Sequence, residues 1–427
     1  MSSEQKRTCS RLTIAAKCAC DRRFSRTPSP TLVQNDMLPQ RKAARSEEPP
    51  HLEATASLPP LLVVCLAIRH GGVDVRIVQT ARELHHNGAV FRVVVIEGSR
   101  LHQTLLQEGI PVVAISRRRA DPRIVIDLVR LVRHARIGLV DAHNTQSQYW
   151  AALAVLATGV KGRVATVHSV YREDHDGRLR QWLHEAALWL CRIAGFRFIA
   201  VSSNVVNYLV ETLGIPSSAV ILSRNGMEAL AAPPPPFDLS TETGWPEDSV
   251  VLAMIGRLDP RKGHRFLIDA LQEMVTTGEE KIRLLVVGTG REERRLREQV
   301  AAAGLEGYVH FSGFRDDIAS ILTRTDLLCL PSLSEGLPYT VLEAARQSVP
   351  VLASRLEGTD DIFLDGETIF FHRVGDVADI RRRVQDLAES PDQRRRVGAA
   401  ARRLFLEDLQ VSRMLDETLE VYRAAVR

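Results

Sequence analysis

Residues 326–354 read DLLCLPSLSEGLPYTVLEAARQSVPVLAS, and the order of properties along this stretch points to a strand, a polar loop and a helix. The apolar run 326–331 is short and closed by Pro331, the pattern of a buried strand that ends in a loop. Ser332 to Gly336 supply that loop. The spacing predicts a helix from about Leu337, with Pro338 at a first helical position, where its missing N–H is no loss, and VLEAAR supplying good helix formers. Glu335 then falls in the loop and Glu343 about one and a half turns into the helix. The free N–H groups of such a helix start attract phosphate, while carboxylates accept hydrogen bonds from the hydroxyls of a polyol. The same pair also fits a solvated loop glutamate and a surface helix glutamate.

Working outward, AMIGRLDPRKGHRFLIDAL repeats the theme. Apolar residues 250–255 read as a strand, Gly256 breaks it, and Arg257 and Lys262 bracket a polar turn. After Gly263, Phe266, Leu267, Ala270 and Leu271 fall at helical spacing. Arginine offers a planar fork matched to phosphate oxygens and lysine a compact charge, so the pair is able to neutralise a pyrophosphate without a metal. Plain surface charge is the other reading.

The chain resembles glycosyltransferase family 4 over roughly residues 60–425. The matching pieces, in order, are GGVDVRIVQTARELHHNG, LVDAHN, ATVHS, RNGME, GRLDPRKG, VVGTG, VHFSGF and PSLSEGLPYTVLEA. The resemblance implies an α/β protein of GT-B architecture, with two Rossmann-like domains whose parallel sheets face each other across a cleft. It also implies that Arg257 and Lys262 hold the diphosphate of a nucleoside diphosphate sugar, Glu335 a hydroxyl of the donor sugar and Glu343 the nucleotide ribose. His168 would approach the donor sugar and His143 would stand on the acceptor side. Glu335, His168, Arg257 and Lys262 form the implied catalytic set. Gly71, Gly72, Gly288, Gly290, Phe314, Gly336 and Leu337 complete the donor-binding set, with no metal site. Retention of anomeric configuration is implied, with Glu335 a positioning group rather than a nucleophile.

Several positions depart from the family pattern. Ser348 stands where glycine is usual, EGTDD replaces a Gly-Gly-x-Pro-Glu stretch, with Asp361 in place of the usual glutamate, and Ile369 replaces a second glycine in DGETIFF. Isoleucine tolerates positive φ poorly, so that loop is expected to differ. These changes bear on the choice of donor sugar more than on activity.

At 427 residues, 45% hydrophobic and 25% charged, the chain is long enough for two ordinary cores. Strand and helix signals alternate, as in parallel α/β sheets. In the first block strands are expected at 61–68, 91–96, 111–115, 138–142, 162–167 and 196–201. Its helices are expected at 73–87, 100–108, 123–136, 147–157, 178–194 and 203–213. The expected division is a basic, disordered tail (1–58), an acceptor-side domain (59–227), a Pro-rich linker (228–248), a donor-binding domain (249–408) and a last helix (409–427) leaning back on the first domain. The longest apolar run, LPPLLVVCLAI, is too short to span a bilayer and reads as the first core strand.

Residues 1–60 hold ten Lys/Arg against six Asp/Glu, so their net charge of +4 equals that of the whole chain, 56 minus 52. The folded part is therefore neutral, and the basicity says nothing for a nucleic-acid partner. Residues 1–26 weakly resemble a transit peptide, although a start at Met37 or later is an equal reading. Cys9, Cys18 and Cys20 fall in the tail without metal-ligand spacing, whereas Cys65, Cys191 and Cys329 sit in apolar runs, as reduced buried thiols of a cytoplasmic protein do.

Gly71 and Gly72 follow the first strand and allow a close backbone approach, or only a tight turn. In VVGTGREERR, Glu293 occupies the third glycine position, which argues against a dinucleotide site and leaves a donor contact or a structural turn. His143 and His168 close two strands, where open α/β sheets place ligands. The Asp174–His175–Asp176 loop is expected to be solvated rather than metal-binding. RRRADPRIVIDLVRLVRHAR and RQWLHEAALWLCRIAG, with Trp182 and Trp189, suggest either peripheral contact with anionic lipid or, as the favoured reading, a solvated basic face and two tryptophans packed on the sheet. Transfer of a hexose to a glycan or lipid-linked glycan acceptor in cell-envelope synthesis is the leading function. A nucleotide-sugar epimerase of the same fold and a non-catalytic nucleotide-sugar-binding protein stay open.

Overall fold

The computed structural model describes residues 58–68, 71–172, 177–357 and 359–427. The tail with Cys9, Cys18 and Cys20 and the Asp174–His175–Asp176 loop lie outside the described residues, and the described residues group as one unit.

Two parallel sheets organise the chain. The first runs in the order β3-β2-β1-β4-β5-β6-β7, built from β1 (Leu61–Cys65), β2 (Phe91–Ile96), β3 (Val112–Ile115), β4 (Leu139–His143), β5 (Gly162–Val167), β6 (Arg197–Ala200) and β7 (Val220–Leu222). The second runs β10-β9-β8-β11-β12-β13, built from β8 (Val250–Ile255), β9 (Ile282–Val287), β10 (Val309–Gly313), β11 (Leu327–Leu330), β12 (Val351–Ser354) and β13 (Phe370–His372). Both sheets reverse direction of growth beside their first strand, between β1 and β4 and between β8 and β11. Such a switch point opens a crevice at the carboxyl ends of the strands, where ligands of open α/β sheets bind.

The central strands are apolar apart from Asp141 and His143 of β4 because helices cover both faces of each sheet. Leu62, Val64 and Val140 pack to one side of the first sheet, and Leu61, Val63 and Leu139 to the other. The helix Val411–Val426 supplies Leu415, Leu419 and Tyr422 to this second face, so the end of the chain completes the core of its beginning. The Pro-rich stretch is no free tether: Phe237, Leu239 and Trp245 are buried against the second sheet, and Leu239–Thr243 is a short helix capped by Asp238.

Several expectations need correction. The helix after the Glu335 loop begins at Tyr339, and Pro338 precedes it in extended conformation (φ −69°, ψ 132°), because a proline preceded by a free loop is under no constraint to enter the helix. The single helix expected at 203–213 is Ser203–Asn207 followed by a π-turn, Tyr208–Thr212. Trp182 and Trp189 do not pack on the sheet: they are 62% and 45% exposed, since Ala187, Leu188 and Cys191 form the buried face of their helix. Ser348 takes φ 62°, the left-handed conformation that explains why glycine suits this position, whereas Ile369 avoids positive φ and leaves it to Gly366 (φ 75°). Among the described residues no helix is long and apolar enough to cross a membrane.

Candidate functional site

The loops after β8 and β11 meet at the switch point of the second sheet. Asp259 shapes the first of them, its carboxylate accepting from the backbone N–H of Arg261 at 3.2 Å and closing the turn Pro260–Lys262. Gly263 follows at φ 74°; a Cβ there would strike the carbonyl of Pro331, so only glycine lets the basic turn press against the neighbouring loop. The Leu333 N–H donates to the Arg261 carbonyl at 2.7 Å and locks the two loops together. Lys262 Nζ thereby reaches Glu335 Oε1 in an ion pair, and the hydroxyl of buried Ser332 donates to the same oxygen at 2.7 Å. Ser332 is a partner that sequence reasoning passed over.

Arg257 is half-buried at the end of β8. Gly288 and Gly290 press on the backbone of Gly256 and Leu258, where any side chain would collide, so both glycines form the structural turn that backs Arg257. Phe314, 44% exposed, leaves β10 and carries the Arg100 guanidinium 3.8 Å above its ring. That arginine begins the helix Arg100–Gln107 of the first domain, so the contact spans the cleft. Glu343 lies in the helix Tyr339–Arg346, half-buried, and draws on the charge of Arg346.

The first domain approaches the same loops. A Cβ on Gly336 would lie 2.6 Å from the carbonyl of His168, and one on Gly72 would lie 3.2 Å from the ring of Tyr339. Gly336, Leu337, Gly72 and His168 therefore share one interface, and Gly71 caps the helix Gly72–His86 beside them. Asn225 Nδ2 donates to the Leu337 carbonyl at 2.7 Å, while Arg76 donates to Asn225 Oδ1 at 3.2 Å. Arg76 is buried and also holds the Ser223 and Arg224 carbonyls and the hydroxyls of Ser223 and Thr418. One guanidinium thus joins the first helix, the crossover to the second domain and the last helix.

Behind His168 stands a buried relay. His143 Nδ1 and His168 Nε2 are 3.0 Å apart, and His143 Nε2 is 3.2 Å from Asp141 Oδ2. Asp141 accepts further hydrogen bonds from the Thr166 hydroxyl at 3.0 Å and the Tyr422 hydroxyl at 2.7 Å. Burial pushes the Asp141 carboxyl up, but the His143 charge and these hydrogen bonds more than offset it, and its pKa lies below the usual carboxylate range. With Asp141 ionised, the His143 Nε2–H donates to it, and His143 Nδ1 and His168 Nε2 share one proton between them. Burial, then the charges of His143 and Arg76, hold His168 well below its ordinary pKa, so it is neutral at physiological pH. Asn144 completes the corner at φ 63°, its side chain accepting from Ser147 N–H at 3.2 Å. Strain of this kind persists where surrounding contacts over-determine it.

Among the described residues no cluster of three or more His, Cys, Asp or Glu is arranged to hold a metal ion. Cys65, Cys191 and Cys329 are free and buried, and burial, then the charge of Asp74, pushes the Cys65 thiol up to about 12.

Comparison with known proteins covers both halves. Residues 70–229 match the family model described as Glycosyltransferase Family 4, and residues 238–404 the model described as Glycosyl transferases group 1. The 2-deoxystreptamine glucosyltransferase of Streptomyces kanamyceticus is 31% identical over 62% of this chain and 72% of its own length. Glycogen synthase of Mycobacterium tuberculosis is 26% identical over 62% of this chain and 63% of its own. The chain spans 48% to 63% of the length of the first curated relatives it matches. Among solved structures, HepE of Anabaena in complex with UDP and glucose has a TM-score of 0.76 at 19% identity, covering 86% of this chain and 100% of that one. With its two halves matched by the two family models in succession and its facing sheets shared with HepE, the chain belongs to glycosyltransferase family 4 and has the GT-B architecture.

Proposed function

We propose that the protein is a retaining glycosyltransferase that moves a hexose from a nucleoside diphosphate sugar to a hydroxyl of a glycan or lipid-linked glycan. Its place would be the cytoplasm, in polysaccharide, lipopolysaccharide or other cell-envelope glycan synthesis. The observation that carries this reading is the Lys262–Glu335 pair, steadied by Ser332 and set opposite His168. A diphosphate entering between the loops would take over Lys262 and find Arg257 beside it, and Glu335 would be released to accept a hydrogen bond from a sugar hydroxyl.

As the glycosidic bond breaks, charge develops on the leaving diphosphate. Arg257, Lys262 and the N-terminus of the helix Tyr339–Arg346 would stabilise it there without a metal ion, in a preorganised site. Glu343 would hold the ribose, and Phe314, Gly288 and Gly290 would border the nucleotide. His168, held neutral by burial, suits a hydroxyl of the sugar better than a charged phosphate. His143 would act on the acceptor side through His168.

The test is acceptor-dependent release of nucleoside diphosphate across a panel of donors. Lys262→Ala is expected to lower kcat by about 10²- to 10³-fold, the usual worth of one transition-state charge contact. If Lys262→Ala and Glu335→Ala both leave release unchanged at saturating acceptor, the assigned site is wrong. An epimerase would convert donor without acceptor, and a binding protein would gain thermal stability from donor without turnover.

A further inference from the structure

The helix Arg178–Ile193 has two apolar faces, and the fold uses one. Ala187, Leu188 and Cys191 are buried, the last two in the first core. Leu179, Trp182, Leu183, Trp189 and Ile193 reach solvent instead, Ile193 at 75% exposure. Their spacing sets them in a single stripe about 120° wide. The adjacent helix Thr145–Thr158 adds exposed Tyr149 and Leu156, and Tyr149 and Leu153 join Trp182, Trp189 and Ile193 around an open groove of about 520 Å³. A contiguous exposed apolar stripe rimmed by polar residues marks a site of interaction.

Its surroundings are basic. The helix Arg123–His134 packs on Thr145–Thr158 and exposes Arg123, Arg130 and Arg133. The Arg192 guanidinium lies 4.8 Å from the centre of the Trp189 ring. The one carboxylate lining the groove, Glu185, is turned to Arg172 at 2.9 Å and is little exposed. A second copy docked on the same patch would bring these arginines against their own equivalents, which costs free energy. Residues 1–60 of the chain, with a surplus of basic over acidic side chains, carry the same sign and do not complement it either. A surface of tryptophan and aliphatic side chains edged by arginine matches the boundary between acyl chains and anionic headgroups.

We infer that this three-helix face docks the protein on an anionic lipid bilayer. Trp182, Trp189 and Ile193 enter the headgroup boundary while Arg130, Arg133 and Arg192 face lipid phosphates. The inference stands apart from the transfer reaction, because lipid binding is measured without turnover.

Flotation of the full chain with phosphatidylglycerol vesicles tests it, with phosphatidylcholine vesicles as control. Capture is expected on the anionic vesicles and release by about 0.5 M NaCl. Trp182→Glu combined with Trp189→Glu should lower the bound fraction about tenfold or more, and Arg130→Glu with Arg133→Glu should do the same. Ile193→Ser gives a smaller loss and guards against misfolding of the double variants. Capture unchanged by all three variants overturns the proposal, as does equal capture on phosphatidylcholine. It is also overturned if the wild type is not captured and sedimentation shows a dimer that the tryptophan variants dissociate, since the face would then serve a second copy.

Discussion

Lys262, Ser332 and Glu335 are held together by contacts between two neighbouring loops of one sheet, whereas Asp141, His143 and His168 take their geometry in part from Tyr422, 281 residues beyond Asp141. The first arrangement is half-exposed and needs only the right turns. The second is buried and needs nearly the whole chain. Arg76 belongs with the second, because its partners Ser223, Asn225 and Thr418 lie 147, 149 and 342 residues away. The difference separates a proposed donor side that a ligand would rearrange from an opposing side whose groups are fixed before any ligand arrives.

The sharpest way to break that contrast is at Arg76. Arg76→Met leaves five acceptor contacts unmade, four of them buried, and should cost about 3–5 kcal/mol in urea unfolding. Lys262→Ala, at a partly exposed pair, should cost about 1 kcal/mol or less. Equal midpoints for the two variants would erase the distinction.

Next in size is a pH effect on the donor side. Burial, then the charge of Lys262, pushes His264 down to about 3 from the ordinary 6.5, and neither ring nitrogen has a partner. The folded state thus resists a proton that the unfolded state binds. The contribution is complete above about pH 6.5 and is lost as pH falls toward 3, amounting to about 3 kcal/mol between about pH 7 and pH 4. His168 is depressed in the same sense, so His264→Leu should reduce the loss without abolishing it. An unchanged loss in this variant would remove His264 from the account.

The smallest effect sharpens the relay itself. Asp141→Asn keeps the shape but no longer fixes the His143 proton on Nε2, so kcat should fall roughly tenfold to a hundredfold, the worth of one hydrogen bond to a charged group. The KM for donor should stay nearly constant. A folded variant with wild-type kcat would show that the relay only supports structure.

The same contrast decides what was legible in the sequence. Arg257, Lys262, Glu335 and the strands β8 and β11 stand out because glycine, proline and charge punctuate short apolar runs, and those signals are local. β7 escaped notice because Val220–Leu222 is three half-buried residues with no periodicity to read. Arg76 reads as one more charge on an amphipathic helix, and nothing nearby in sequence announces partners so distant. Asp141 did leave a trace: a carboxylate within the apolar strand LVDAH is out of place unless it is paired. The exposed tryptophans show the limit from the other side, since a helix with two apolar faces does not declare which one the sheet will cover.

Tyr422 gives the buried relay a history as well as a geometry. During synthesis at about 5–20 residues per second, Asp141 leaves the ribosome on the order of 15 to 60 s before its phenol partner. For that interval the first sheet must either keep Asp141 in water or hold it protonated. The nascent first domain is thus expected to stay open along the groove that the helix Val411–Val426 later fills.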